Sequence, residues 1–121
     1  MKSCLIVDDS KVIRLVAKKI FQELGFSTIE AEDGQKALDE CAKAMPDCVL
    51  LDWNMPVMDG LEFLKRMRAM DGGDKPKVIF CTTENDMSHI ITALETGASE
   101  YIMKPFDNEI IQTKLIQVGL L

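Results

Sequence analysis

Residues 49–60 read VLLDWNMPVMDG: an apolar run that ends on a carboxylate and passes into a loop containing proline and glycine. With Cys48 in front, the run is apolar without alternation, as expected of a strand buried on both faces. Asp52 therefore stands at the lip of a core, with Trp53 beside it. One aspartate after a strand decides nothing, because Asp is a common loop-starting residue. The question is whether the rest of the chain repeats the pattern.

It does. "SCLIVDD" carries an apolar run from Cys4 to Val7 that ends in the acidic pair Asp8 and Asp9. "FSTIEAE", "KVIFCTT" and "SEYIMKP" read as further strands. Between them, "SKVIRLVAKKIFQELG" has helical spacing, with Ile13, Val16, Ala17, Ile20 and Leu24 on one face, Ser10 as N-cap and Gly25 as stop. "DGQKALDECAKAM" places Ala37, Leu38, Cys41 and Ala42 inward; "DGLEFLKRMRAM", "DMSHIITALETGA" and "NEIIQTKLIQVGL" complete the helices. Five strands alternating with five helices predict a single α/β domain over 1–121, a doubly wound parallel sheet covered by helices on both faces. Ligands of such open sheets bind at the carboxyl ends of the strands.

Composition narrows the functions available. A chain of 121 residues, 47% hydrophobic and 28% charged, supports one folded core. Its 14 basic and 20 acidic residues leave a net charge of −6, which argues against nucleic-acid binding. No apolar run is long enough to insert in a membrane and no signal-like segment opens the chain, so a cytoplasmic protein is expected. Cys4, Cys41, Cys48 and Cys81 lie in apolar strands or on a helix without zinc-site spacing, and read as buried thiols.

Several groups collect at the predicted carboxyl edge: Asp8 and Asp9, Asp52, Thr82 and Thr83, and Lys104 before Pro105. Three neighbouring carboxylates cannot all ionise freely unless a cation intervenes. Hard oxygen ligands with an incomplete shell suit Mg²⁺, which also accepts phosphate oxygens. Three aspartates carry −3, and +2 from the ion with +1 from Lys104 offsets it. Aspartate can serve as the nucleophile in phosphoryl transfer, where catalysis is largely positioning and charge stabilisation. Asp52 is the candidate phosphoacceptor.

The motifs "VDDS", "LLDWNMPVMDG", "FCTTEN" and "GASEYIMKPF", in this order, resemble those of the CheY-like receiver domain of two-component response regulators. The resemblance spans essentially the whole chain and implies the flavodoxin-like strand order 2-1-3-4-5 known for that family. It implies that Asp52 accepts the phosphoryl group. It also implies that Asp9, Asp52 and the Asn54 carbonyl bind Mg²⁺, with Asp8 assisting through water. Lys104 and Thr82 would contact phosphoryl oxygens, Tyr101 would turn inward as the switch aromatic, and the Lys104–Pro105 peptide would be cis. Asn54, Thr83 and Glu84 occupy positions that tune hydrolysis. Thr83 departs from the family pattern, which usually has a smaller residue there, and its side chain narrows access to the phosphoryl group.

The resemblance further implies a phospho-accepting module rather than an enzyme, with only self-phosphorylation and slow self-dephosphorylation. Its partners would be a sensor histidine kinase or histidine phosphotransfer protein and a downstream protein target. After Phe106 one helix precedes Leu121, so a stand-alone, monomeric regulator of chemotaxis type is expected, acting through its own surface. A phosphorelay intermediate or phosphate sink is the alternative. Ile91 with Ala93 or Leu94 supplies an inward stripe for the fourth helix, while Met87, Ile90 and Leu94, next to Tyr101, form a candidate partner surface. His89 reads as a solvent-facing helix residue. A haloacid-dehalogenase-like phosphatase would want an aspartate where Asn54 stands. A flavodoxin-like mononucleotide binder would want a Gly/Ser/Thr-rich cradle where "DDSKVIR" stands.

Overall fold

The computed structural model describes residues 1–83 and 87–121. Five strands, β1 (Ser3–Val7), β2 (Ser27–Ala31), β3 (Cys48–Asp52), β4 (Lys77–Thr82) and β5 (Glu100–Met103), alternate with five helices. The helices are α1 (Lys11–Glu23), α2 (Gly34–Lys43), α3 (Gly60–Arg68), α4 (Met87–Thr96) and α5 (Asn108–Gln117). The sheet is parallel throughout, in the order β2-β1-β3-β4-β5, as expected.

Strand periodicity divides the core in two. Leu5, Val7, Val49, Leu51, Val78 and Phe80 face a layer supplied by α2, α3 and α4, including Ala37, Phe63, Leu64 and Ala93. Their neighbours Cys4, Ile6, Leu50, Ile79 and Cys81 face the opposite layer of α1 and α5, including Ala17, Phe21, Ile111 and Leu115. Successive side chains on a strand point to opposite faces, so an unbroken apolar run feeds both layers. That holds for β1, β3 and β4. The edge strands differ: β2 alternates exposed and half-buried positions until Ala31, and only Ile102 of β5 is buried.

The helix ends follow their local chemistry. The side chains of Ser10, Asp33, Asp59 and Asp107 each accept a backbone N–H three residues on, satisfying donors that a helix start leaves unpaired. Gly25, at φ +92°, follows α1 in the left-handed conformation that stops a helix. Two inward faces differ from expectation. In α1, Phe21 is buried and Val16 is exposed; in α2, Ala42 is exposed. In α1 and α2 only three positions each are fully buried, a narrower face than the apolar stripe in the sequence.

All four cysteines are buried and unbridged. Burial pushes the Cys81 thiol up to about 12 and Cys41 up to about 11, which leaves them as unreactive apolar side chains.

The start of α3 is pressed against the end of β3. The Gly60 N–H donates to the Trp53 carbonyl at 2.9 Å, and a Cβ on Gly60 would lie 2.2 Å from the Asp52 carbonyl oxygen. Gly60→Ala is expected to lower the denaturant-unfolding free energy by about 1–3 kcal/mol, the usual cost of forcing backbone apart. An unchanged unfolding midpoint would contradict this packing.

Candidate functional site

The carboxyl edge of β1 and β3 carries the site. Asp52 ends β3 and is buried, and Asp8 follows β1 directly and is buried too, while Asp9 is exposed. One carboxylate oxygen from each of the three lies within 4.8 Å of the others. Lys104 reaches this cluster from the loop after β5. Its Nζ stands 2.7 Å from Asp8 Oδ2 and 3.1 Å from Asp52 Oδ1. The cis Lys104–Pro105 peptide is present, and the Lys104 N–H donates to the Thr82 carbonyl at 2.8 Å, which ties the loop to the end of β4.

Asp8 is fixed from several sides. Its N–H donates to the Ala31 carbonyl at 3.1 Å, and its Oδ1 accepts the Ser10 N–H at 2.9 Å. Arg14 of α1 donates from Nη1 to the Asp8 carbonyl at 2.7 Å and from Nε to Glu30 Oε1 at 3.1 Å. Arg14 gave no signal in the sequence beyond a charged residue on an amphipathic helix. Its role comes from β2 and α1 meeting beside β1.

A cavity of about 60 Å³ opens beside Asp52, lined by Asp52, Trp53, Asn54, Thr82, Thr83 and His89. Small-molecule sites run to roughly 300–1,000 Å³, so this space suits a phosphoryl-sized group and not a mononucleotide. Of the predicted residues, Lys104 meets Asp8 and Asp52 directly, Asp9 lies in the same carboxylate group, and Thr82, Thr83 and Asn54 share the cavity with Asp52. Glu84 lies outside the described residues. Tyr101 is half-buried at the edge of the α2–α4 layer, with Lys114 Nζ 5.4 Å from its ring centre and 3.4 Å from Glu100 Oε1.

Three readings of α4 are corrected. Ile90, expected at a partner surface, is buried with Ala93 on the inward face. Ile91, expected inward, is 48% exposed. His89 is not simply solvent-facing: its ring stacks on Trp53 with centroids 4.3 Å apart and planes 16° from parallel. Met87 and Leu94 are exposed, as the surface reading required.

Electrostatics fit a hard divalent cation. Burial raises the Asp52 pKa above 3.8, Asp8 and Asp9 raise it further, and Lys104 offsets only part of this. For Lys104, burial alone would depress the pKa, but the bonds to Asp8 and Asp52 outweigh it and hold it above 10.5. A cluster of oxygen donors that a single lysine leaves under-compensated is a donor set for Mg²⁺.

Both shifts make stability fall as pH rises, in two separate windows. A raised carboxylate pKa means that ionising Asp52 costs more in the folded chain, so this group reduces stability as pH rises from 3.8 through the raised value. The Lys104 contribution is full below 10.5 and is lost as pH climbs through its raised value. Without divalent cation, Asp52→Asn is therefore expected to melt at a higher temperature than wild type at pH 7, with the difference closing below about pH 4. Millimolar Mg²⁺ is expected to raise the wild-type melting temperature and to raise that of Asp52→Asn less. A variant that melts lower at pH 7 would contradict the charge balance.

Comparison with known proteins agrees with this architecture. The family model for the response regulator receiver domain matches residues 4–116. Chemotaxis protein CheY1 of Helicobacter pylori is 38% identical over 113 residues, covering 92% of this chain and 91% of that protein. A chemotaxis protein CheY homolog of Campylobacter jejuni is 40% identical over 116 residues, covering 94% and 89%. The solved structure of Vibrio cholerae CheY4 superposes with a TM-score of 0.92 at 34% identity, covering 98% of each chain. With the motif order, the 2-1-3-4-5 sheet and the acidic cluster at its edge, this places the chain in the family of response regulator receiver domains.

Proposed function

We propose that Asp52 accepts a phosphoryl group in a Mg²⁺-dependent reaction, and that the phosphorylated chain signals to a protein partner. The observation that carries this reading is the buried Asp52 carboxylate, bridged by Lys104 to Asp8 and opening on a cavity of phosphoryl size. An Asp52 Oδ attacks phosphorus, and an acyl phosphate bond forms as the bond from phosphorus to the leaving group breaks. The leaving group keeps the electron pair and takes its proton from solvent. Asp8, Asp9, Asp52 and the Asn54 carbonyl are the residues to hold Mg²⁺. When bound, the ion supplies positive charge that screens the carboxylates from the incoming phosphate.

Lys104 is placed to follow the new charge. It holds a proton across the physiological range and reaches the Asp52 oxygen already, so it stabilises phosphoryl oxygens without reorganising. Thr82 offers its hydroxyl from the same cavity wall, and Tyr101 is the aromatic whose position reports the change. Thr83 narrows the approach. The chain catalyses only its own phosphorylation and slow dephosphorylation, which makes it a signalling module and not an enzyme acting on separate substrates.

The chemotaxis names of the relatives support a diffusible regulator in the cytoplasm, phosphorylated by a histidine kinase. No helix among the described residues is long and apolar enough to cross a membrane. Met87 and Leu94, with Ile91 in place of Ile90, give the exposed apolar surface on α4 that suits a protein partner. A phosphorelay intermediate would use the same chemistry, and return of phosphate to a histidine phosphotransfer protein is the reaction that distinguishes it.

The test is the intact mass of the protein after incubation with a small phosphodonor, with Mg²⁺ and with chelator. A phosphate adduct on wild type that is absent from Asp52→Asn and absent with chelator is expected; an adduct that survives in Asp52→Asn would overturn the assignment. Thr83→Ala is expected to speed phosphorylation and hydrolysis severalfold, and unchanged rates would remove Thr83 from the access path.

A further inference from the structure

Phe80, Trp53 and His89 form a column of rings beside the phosphoacceptor. Phe80 is a core residue of β4, 1% exposed, and its ring meets the Trp53 indole edge-on with centroids 5.2 Å apart. The indole also carries the His89 imidazole, stacked nearly flat against it. His89 lies in the first turn of α4, and side chains on a helix tilt toward its N-terminus. In a doubly wound sheet that end faces the carboxyl edge of the strands, where Asp52 lies. Ile90 and Ala93, buried on the inward face of α4, fix the helix so that the neighbouring position 89 meets Trp53. His89 thus lines the same cavity as Asp52, Thr82 and Thr83.

We propose that His89 is a positioning residue of this site: its imidazole, laid on Trp53, forms the outer wall of the phosphoacceptor cavity and limits the approach of water to the acyl phosphate. The proposal rests on the phosphoacceptor reading of Asp52. Hydrolysis needs a water oxygen to attack phosphorus while the bond to the Asp52 oxygen breaks. The carboxylate keeps the electron pair, inorganic phosphate departs, and the water proton passes to solvent. A ring seated at the cavity's side reduces the room for that water. It does so without touching phosphorus, so its effect is on access and not on the chemical groups that stabilise the transition state.

Trp53 is the sole tryptophan of the chain, so its fluorescence reports the stack directly. The experiment measures acrylamide quenching of Trp53, and the decay of the acyl phosphate after removal of a small phosphodonor, in wild type, His89→Ala and His89→Phe. Thermal melting confirms that each variant is folded. His89→Ala is expected to increase quenching and to shorten the acyl-phosphate lifetime severalfold. His89→Phe, which keeps a ring on the indole, is expected to restore both. A folded His89→Ala with an unchanged lifetime would overturn the proposal, as would His89→Phe decaying as fast as His89→Ala. A wild-type chain that takes up no phosphate would overturn the phosphoacceptor reading, and the proposal with it, while the quenching series would still report whether the wall exists.

Discussion

The ammonium of Lys104 sits between two buried carboxylates, 2.7 Å from Asp8 and 3.1 Å from Asp52, and the site is arranged around that sharing. Like charges less than 5 Å apart repel by on the order of 3 kcal/mol at an effective dielectric of about 20. Asp9, being exposed, is screened and adds less. One cation cannot balance three anions: burial raises the Asp52 pKa first, and Asp8 raises it further against the opposing pull of Lys104. The deficit leaves these oxygen donors suited to a divalent cation. It also keeps Asp52 from being an ordinary structural aspartate, whose bonds would be saturated.

The fold supplies this arrangement through register. Parallel pairing of β1 with β3 and of β3 with β4 brings strand ends level, so residues distant in sequence reach one edge. The period of two sends alternate side chains into two separate helix layers, and the strand ends are where the chain leaves both. Gly60 lets α3 begin against the Asp52 carbonyl, and Arg14 pins Asp8 from α1 to Glu30 of β2. The backbone beside Asp52 and Asp8 is therefore held in place by the fold itself.

Much of this was legible in the sequence because it is written in local patterns. The apolar runs of β1, β3 and β4, the cap at Ser10, and the acidic and basic residues that end the strands each depend on near neighbours alone. The less legible parts depend on which face of a helix meets the sheet. The apolar residues of α4 form one broad arc that includes both Ile90 and Ile91, so composition did not separate the two, and only the packed helix shows that Ile90 faces in. Val16 and Ala42 failed for the same reason. The stack of His89 on Trp53 joins residues far apart in the chain, and neither has a pattern of its own to announce the contact. Arg14 is similar, since the carbonyl it binds leaves no trace in side-chain identity.

The most direct test of the central claim is a titration of the Asp52 carboxyl by carbon NMR, with and without Mg²⁺. A midpoint above 3.8 is expected in the metal-free protein, because burial and the flanking aspartates outweigh Lys104, with a fall in that midpoint when Mg²⁺ is added. A midpoint at or below 3.8 that Mg²⁺ leaves unmoved would mean that Lys104 already balances the site, and that no charge deficit exists for a cation to fill.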